Sequence, residues 1–267
     1  MISEPLPARL MNEPLPARWN RYKLTIEYDG RGLVGWQRQD NGLAVQQLLE
    51  EAGAQLAGHP VDMVAAGRTD AGVHAQGQVV HVDIDKPLAA DRVRDGLNFW
   101  LVADSPSPKV AVLAAEAVSE AFHARFSAIG RRYCYRIVNR RAPLTTQRGL
   151  AWGIAKKLDV EAMHAAAQRL VGSHDFTSFR ASECQAKSPI KTLDRLDVIR
   201  QGEEILIHAD ARSFLHHQVR NMVGSLKWVG EGRWSADDIS RAIEARDRRA
   251  GGPTAPPDGL SLTAVVY

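Results

Sequence analysis

What most constrains this chain is a switch between two apolar periods that is made in the same order twice. From Tyr22, "YKLTIEYDG" puts Tyr22, Leu24, Ile26 and Tyr28 at every second position and ends at a turn, the pattern of a half-buried strand. "LAVQQLLEEAGAQLAG" then puts Val45, Leu48, Leu49, Ala52 and Leu56 on one face of a 3.6-residue repeat, which predicts a helix. "VDMVAAG" and "GQVVHVDID" read as strands, residues 89–101 as a helix, and "KVAVLAAEAV" as a further strand. The order β-α-β-β-α-β is the split βαβ, or ferredoxin-like, pattern. In the second half "RRYCYRIVNR" alternates, with Tyr133, Tyr135 and Ile137 on one face, and Asp159 can cap a helix striped by Met163, Ala167, Leu170 and Val171. "KTLDRLDVIRQG" and "EEILIHADARS" read as a hairpin, and "FLHHQVRNMVGSLKWVGEG" carries Leu215, Val219, Met222, Val223, Leu226 and Val229 on one helical face. Ser235 and Asp238 form a capping-box start to another helix, and "LSLTAVVY" closes as a strand. The expected fold is α+β with two ferredoxin-like domains, 21–120 and 121–267, after a flexible tail at 1–20. That tail holds "EPLPAR" twice, and its four prolines argue against helix or central strand.

A chain of 267 residues, 45% hydrophobic, is long enough for one large or two ordinary domains. No apolar run approaches a membrane span, and the first twenty residues lack the apolar core of a secretory signal. Two cysteines, Cys134 and Cys184, form no close pair, so neither a disulfide framework nor a cysteine zinc site is indicated and a reducing cytoplasm is expected. The formal charge is +3, a mild pointer to an anionic partner. Eight lysines among 34 basic residues leave 26 arginines, whose forks suit bidentate phosphate contacts and base stacking; GC-rich coding produces the same excess.

Residues 65–83, "AAGRTDAGVHAQGQVVHVD", set Arg68, Asp70 and His74 among Gly67, Gly72 and Gly77 directly before a strand. Glycines here let the backbone turn tightly or approach a neighbour closely. Arg68 and Asp70 are two apart, so in extended chain they project to one side, where an arginine fork can hold a carboxylate ionised and oriented. A solvated turn with an incidental ion pair gives the same pattern. The stretch lacks the Lys-Ser/Thr end of a P-loop, Asp70 has no obvious second carboxylate for glycosidase chemistry, and His74 and His81 lack the spacing of a helical metal pair.

"GRTDAGVHA", "FHARFSA", "RRYCYRI", "DFTSFR" and "HHQVRNMVGSL" occur in the order found in tRNA pseudouridine synthases of the TruA type, and "EYDG…GWQRQ" at 27–39 resembles their opening. The resemblance runs from Tyr22 to Tyr267. It implies isomerisation of uridine to pseudouridine at positions 38, 39 and 40 of the tRNA anticodon stem-loop, with no cofactor and no catalytic metal. It also implies two ferredoxin-like halves whose antiparallel sheets join along a basic central cleft, and a homodimer. Asp70 matches the family's catalytic aspartate, which can add to ribose C1′, add to base C6 or assist removal of the C2′ proton; the sequence leaves all three open. Arg68 beside it would favour the ionised form and help fill the space of a flipped base. Tyr133 matches the family's active-site tyrosine, expected to stack on the target base and to take the C5 proton, although a phenol is a poor base unless perturbed. Tyr135 is read as core. Arg220 matches an arginine near the site that can pair with Asp70, against a reading as solvated helix face. Leu260 matches an apolar residue lining the uracil pocket, against plain core packing. His123 and Arg125 are expected as RNA or backbone-orienting contacts, and Arg131, Arg132 and Arg180 as phosphate contacts. His216 and His217 are given no ligand role, and Cys184 is read as a structural thiol. The sequence departs from the family at Cys134, where relatives carry an arginine, and in the duplicated tail. A non-catalytic RNA-binding module would need an RNP1-type aromatic strand, and a nucleotide-binding enzyme would need a P-loop or dinucleotide fingerprint; neither is present.

Overall fold

The computed structural model describes residues 19–103, 105 and 107–267; the duplicated "EPLPAR" segment lies outside them. In chain order the elements are β1 (Asn20–Tyr28), α1 (Val45–Ala57), β2 (Val64–Ala65), β3 (His74–Ile84), α2 (Ala90–Ala103), β4 (Val110–Val118), β5 (Gly130–Val138), β6 (Trp152–Gly153), α3 (Val160–Ala167), β7 (Gly172–Asp175), β8 (Ile190–Gln201), β9 (Glu204–Ala211), α4 (Gln218–Gly230), α5 (Ala236–Ala245) and β10 (Leu260–Val266). Local chemistry accounts for several boundaries. The Asp159 side chain accepts from Ala162 N at 2.9 Å and starts α3, while Ser235 and Asp238 close a reciprocal capping box on α5. Gly58, with φ +83°, ends α1 in the left-handed conformation that lacks a steric cost only for glycine.

The strands form one sheet in the order β4-β1-β3-β10-β5-β9-β8-β7, with β2 on β3 and β6 on β5. The sheets of the two halves, expected to join, form one sheet, and the pairing that joins them, β10 on β3, is parallel where antiparallel strands were expected. On its other side β10 runs antiparallel to β5. Of "VDMVAAG" only Val64 and Ala65 enter the ladder, because the chain then leaves the sheet for the glycine motif. The stripe after Asp159 stops being α-helical at Ala167, and residues 168–170 tighten into a 3₁₀ turn.

Each half buries its own apolar core. One is built on Tyr22, Leu24, Ile26, Leu49, Val80, Val82 and Leu97, the other on Tyr135, Ile137, Met163, Phe176, Phe179, Ile207, Met222 and Leu226. Tyr133 packs against both, and β10 contributes Leu262 to the first and Leu260 to the second. No helix among the described residues is long and apolar enough to cross a membrane.

Candidate active site

The loop between β2 and β3 is held from several sides. The Tyr28 hydroxyl meets Thr69 Oγ1 at 2.8 Å, Trp36 N donates to Thr69 O at 3.0 Å, and fully buried Gln78 donates from Nε2 to Gly67 O at 2.8 Å. Val73 N returns to Asp70 O at 3.2 Å, and Gly72 turns the chain at φ +79°. The carboxylate of Asp70 therefore stands on a fixed loop, with its side chain 21% exposed.

The turn before α4 and the first residues of that helix, from the other half, meet it. Arg220 donates from Nη1 to Asp70 Oδ2 at 3.1 Å, while its Nε is spent on Ala255 O at 2.8 Å, so the guanidinium is anchored and aimed. His216 Nε2 lies 3.3 Å from Asp70 Oδ1, and His217 Nε2 lies 3.4 Å from Oδ2. Burial lowers the pKa of the His217 imidazole, against the opposing pull of the Asp70 charge. His217 also has φ +62°, a left-handed backbone that costs a non-glycine residue on the order of 1–3 kcal/mol. Asp70, His216 and His217 offer three ligand atoms within 4.8 Å of one another, but Arg220 sets a permanent cation on the same carboxylate, which opposes a metal ion there.

Tyr133, on β5, meets Phe214 edge-on with centroids 5.2 Å apart, and its hydroxyl has no hydrogen-bond partner among the described residues. Burial first, then the nearby Tyr28 and Asp70, pushes that hydroxyl well above its ordinary pKa, so it is held neutral. Tyr135 is fully buried and donates to Pro256 O at 2.8 Å; Leu260 sits opposite it in the ladder and is 5% exposed.

The remaining expectations divide. Arg68 is exposed and pairs with nothing among the described residues, so the cation at Asp70 is Arg220 and not the neighbour two residues away. Arg131 is no phosphate contact: it is buried, and its guanidinium donates to the carbonyls of Ala66, Arg125, Ala128 and Arg212. His123 has the backbone-orienting geometry, its Nδ1 accepting from Arg125 N and Phe126 N. Arg125 is exposed with its guanidinium over the Phe126 ring. Arg132 is 58% exposed, 3.7 Å from Asp210, and Arg180 is half-buried, its charge acting on Asp175 with no hydrogen bond from its guanidinium among the described residues. Cys184 is half-buried against the C-terminal core. The two histidines at Asp70 are the residues that sequence reasoning missed. Their signal was present: His216 and His217 stand four and three residues before Arg220, the spacing that shares a helix face. Beside the motif loop, Gly72 and Asp258 border a groove of about 660 Å³ that Arg31, Arg148 and Trp152 also line.

Residues 24–127 and 166–267 match the family model described as tRNA pseudouridine synthase. The chain is 64% identical to tRNA pseudouridine synthase A of Paramagnetospirillum magneticum over 247 residues, covering 92% of this chain and 95% of that one. It is 62% identical to the protein of that name from Rhodospirillum centenum, covering 92% and 99%. Against the Zymomonas mobilis protein it is 55% identical, covering 93% and 100%. On both the matched residues and this near-complete coverage, the chain belongs to the tRNA pseudouridine synthase family.

Proposed function

We propose that this tRNA-modifying isomerase acts at positions 38, 39 and 40 of the anticodon stem-loop, with Asp70 as its catalytic carboxylate. The observation that carries the reading is Asp70 itself: a partly exposed carboxylate on a fixed loop, gripped by Arg220 from the other half. The reaction breaks the N1–C1′ bond, turns the base and forms C5–C1′; C5 loses a proton and N1 gains one. The change is redox-neutral, so side chains can supply every step. The Asp70 carboxylate can add at C1′ or C6, or take the C2′ proton, and Arg220 holds and orients it for each route. Tyr133 suits stacking on the base, since a hydroxyl held neutral by burial is a reluctant base for the C5 proton.

Around this centre Arg68, exposed and without a partner among the described residues, is proposed to fill the place of the flipped base, and Arg125, Arg132 and Arg180 to meet phosphates. Leu260 is proposed at the base of the uracil pocket. The two ferredoxin-like domains, divided near residue 120, are supported by the strand orders β4-β1-β3-β2 and β10-β5-β9-β8, one plan used twice. A homodimer that binds one tRNA across a basic cleft, in the cytoplasm and without cofactor or metal, completes the reading.

The test is tritium release from tRNA labelled at uridine C5, comparing the wild-type chain with Asp70→Asn. The expected result is no detectable release from the variant, with tRNA affinity within about threefold because phosphate contacts dominate binding. Release within tenfold of wild type would remove Asp70 from the mechanism.

A further inference from the structure

We infer that His217 is a positioning residue for Asp70, and that the fold keeps it in a left-handed backbone conformation to serve that role. The inference rests on the reading of Asp70 as the catalytic carboxylate. Successive side chains diverge in ordinary secondary structure: they point to opposite faces of a strand, and neighbours i and i+1 on a helix do not face each other. His216 and His217 are successive, yet their ring centroids lie 4.0 Å apart and their Nε2 atoms reach the two oxygens of one carboxylate, at 3.3 and 3.4 Å. The positive φ of His217, at the N-terminal boundary of α4, accompanies this convergence. Glycine and asparagine adopt such a backbone more readily, and neither carries an imidazole. Only His217 and Arg246 among the described non-glycine residues have positive φ, and Arg246 merely ends α5.

The surroundings leave His217 little freedom. Its carbonyl accepts from Asn221 N at 2.9 Å, the first helical bond of α4, and the preceding carbonyl of His216 accepts from Ala181 N at 2.9 Å. Fully buried Gln218 locks the turn by accepting from Leu215 N at 2.8 Å. Asp70, His216, Arg220 and Glu183 are the charged and titratable groups that act on the ring. With Arg220 hydrogen-bonded to Oδ2 and the His217 and His216 rings set against Oδ2 and Oδ1, both oxygens are flanked, and in this inference the rings limit the turning of the carboxylate before RNA arrives.

The test uses the full-length protein with His217→Gly, His217→Asn and Asp70→Asn in parallel, read by melting temperature, tRNA Kd and single-turnover pseudouridine formation. Glycine keeps the left-handed backbone without strain and removes the ring. The expected result is a melting temperature equal to or above wild type, Kd within threefold, and a rate reduced 10- to 100-fold. Asparagine, which tolerates the same backbone and again sets a polar side chain beside the carboxylate, recovers part of that rate. A glycine variant within twofold of the wild-type rate would overturn the inference. So would a rate loss matched by a fall of several degrees in melting, which would make the ring a packing element. If Asp70→Asn stays active, the reading of Asp70 fails. If Asp70→Asn is inactive while His217→Gly is unimpaired, the role of His217 alone fails.

Discussion

Two adjacent arginines on β5 show how far residue identity carries function. In the sequence Arg131 and Arg132 are equivalent candidates for phosphate. In the fold one is buried beneath four carbonyl oxygens and the other is 58% exposed. Burial lowers the pKa of the Arg131 guanidinium, and among the described residues its partners are backbone carbonyls, whose dipoles solvate the charge. It ties the start of the motif loop, at Ala66, to the 125–128 turn and to Arg212. Arg131→Met should therefore cost about 3 kcal/mol or more of stability in urea unfolding. Arg132→Ala should leave stability within about 0.5 kcal/mol and reduce the slope of log K for tRNA against log salt by about one. A stable Arg131→Met protein with a shallower salt slope would reverse these roles. Asp70, Tyr133 and Arg220 were legible because each lies in a distinctive motif. The spacing of His217 from Arg220 was open to reading, but its convergence with His216 on Asp70 was not, since nothing in a histidine's chemistry announces a positive φ.

At the scale of elements, alternation and helical stripes located the five helices and every strand among the described residues except β6 and β7, because burial on one face demands those periods. They failed where short strands are set by tertiary contact, as in Trp152–Gly153 and Gly172–Asp175, and they overstated the length of β2. The same limit hid the role of His81 on β3. Its ring is 5% exposed, its Nδ1 accepts from Ala124 N at 3.2 Å, and His123 packs on it at 4.8 Å between ring centroids, so it fastens the 119–129 turn to the sheet. Burial first, then the charges of Arg21 and His123, pushes its pKa down to about 4. The unfolded chain binds that proton near pH 6.5 and the folded chain only near pH 4, so the unfolded state holds more protons between them. The contribution is complete above pH 6.5 and is lost as pH falls through the window, up to about 3 kcal/mol in all. Urea midpoints at pH 7.5 and 4.5 should show this loss in the wild-type protein. His81→Gln should be less stable at pH 7.5 and should lose less between the two values; an equal loss in both would assign the effect to other groups.

At the scale of the molecule, the site exists only because the halves share one sheet. Asp70 comes from the first, α4 from the second, and the short strand β10 lies between them, with Leu262 opposite Ala75 of β3 on one side and Tyr133 of β5 on the other. Periodicity identified β10 as a strand but could not name its partners, since the β3 residues it joins lie far away in the chain. One sequence signal did bear on this joint: Gly77, in the motif stretch. A Cβ there would lie 2.5 Å from Thr263 O, so the glycine is what lets β3 and β10 approach. Gly67, by contrast, has open space where its Cβ would go. Gly77→Ala should force the two strands apart, cost about 1–3 kcal/mol and displace the Asp70 loop from Tyr133 and α4. Pseudouridine formation should fall at least tenfold at a temperature where the variant is still folded, because catalytic geometry tolerates little displacement. Gly67→Ala should change stability by less than about 0.5 kcal/mol and leave the rate near wild type. Thermal melting and single-turnover kinetics on both variants decide the matter: a Gly77→Ala enzyme that loses stability yet keeps its rate while folded would show that the site does not depend on the spacing of this joint.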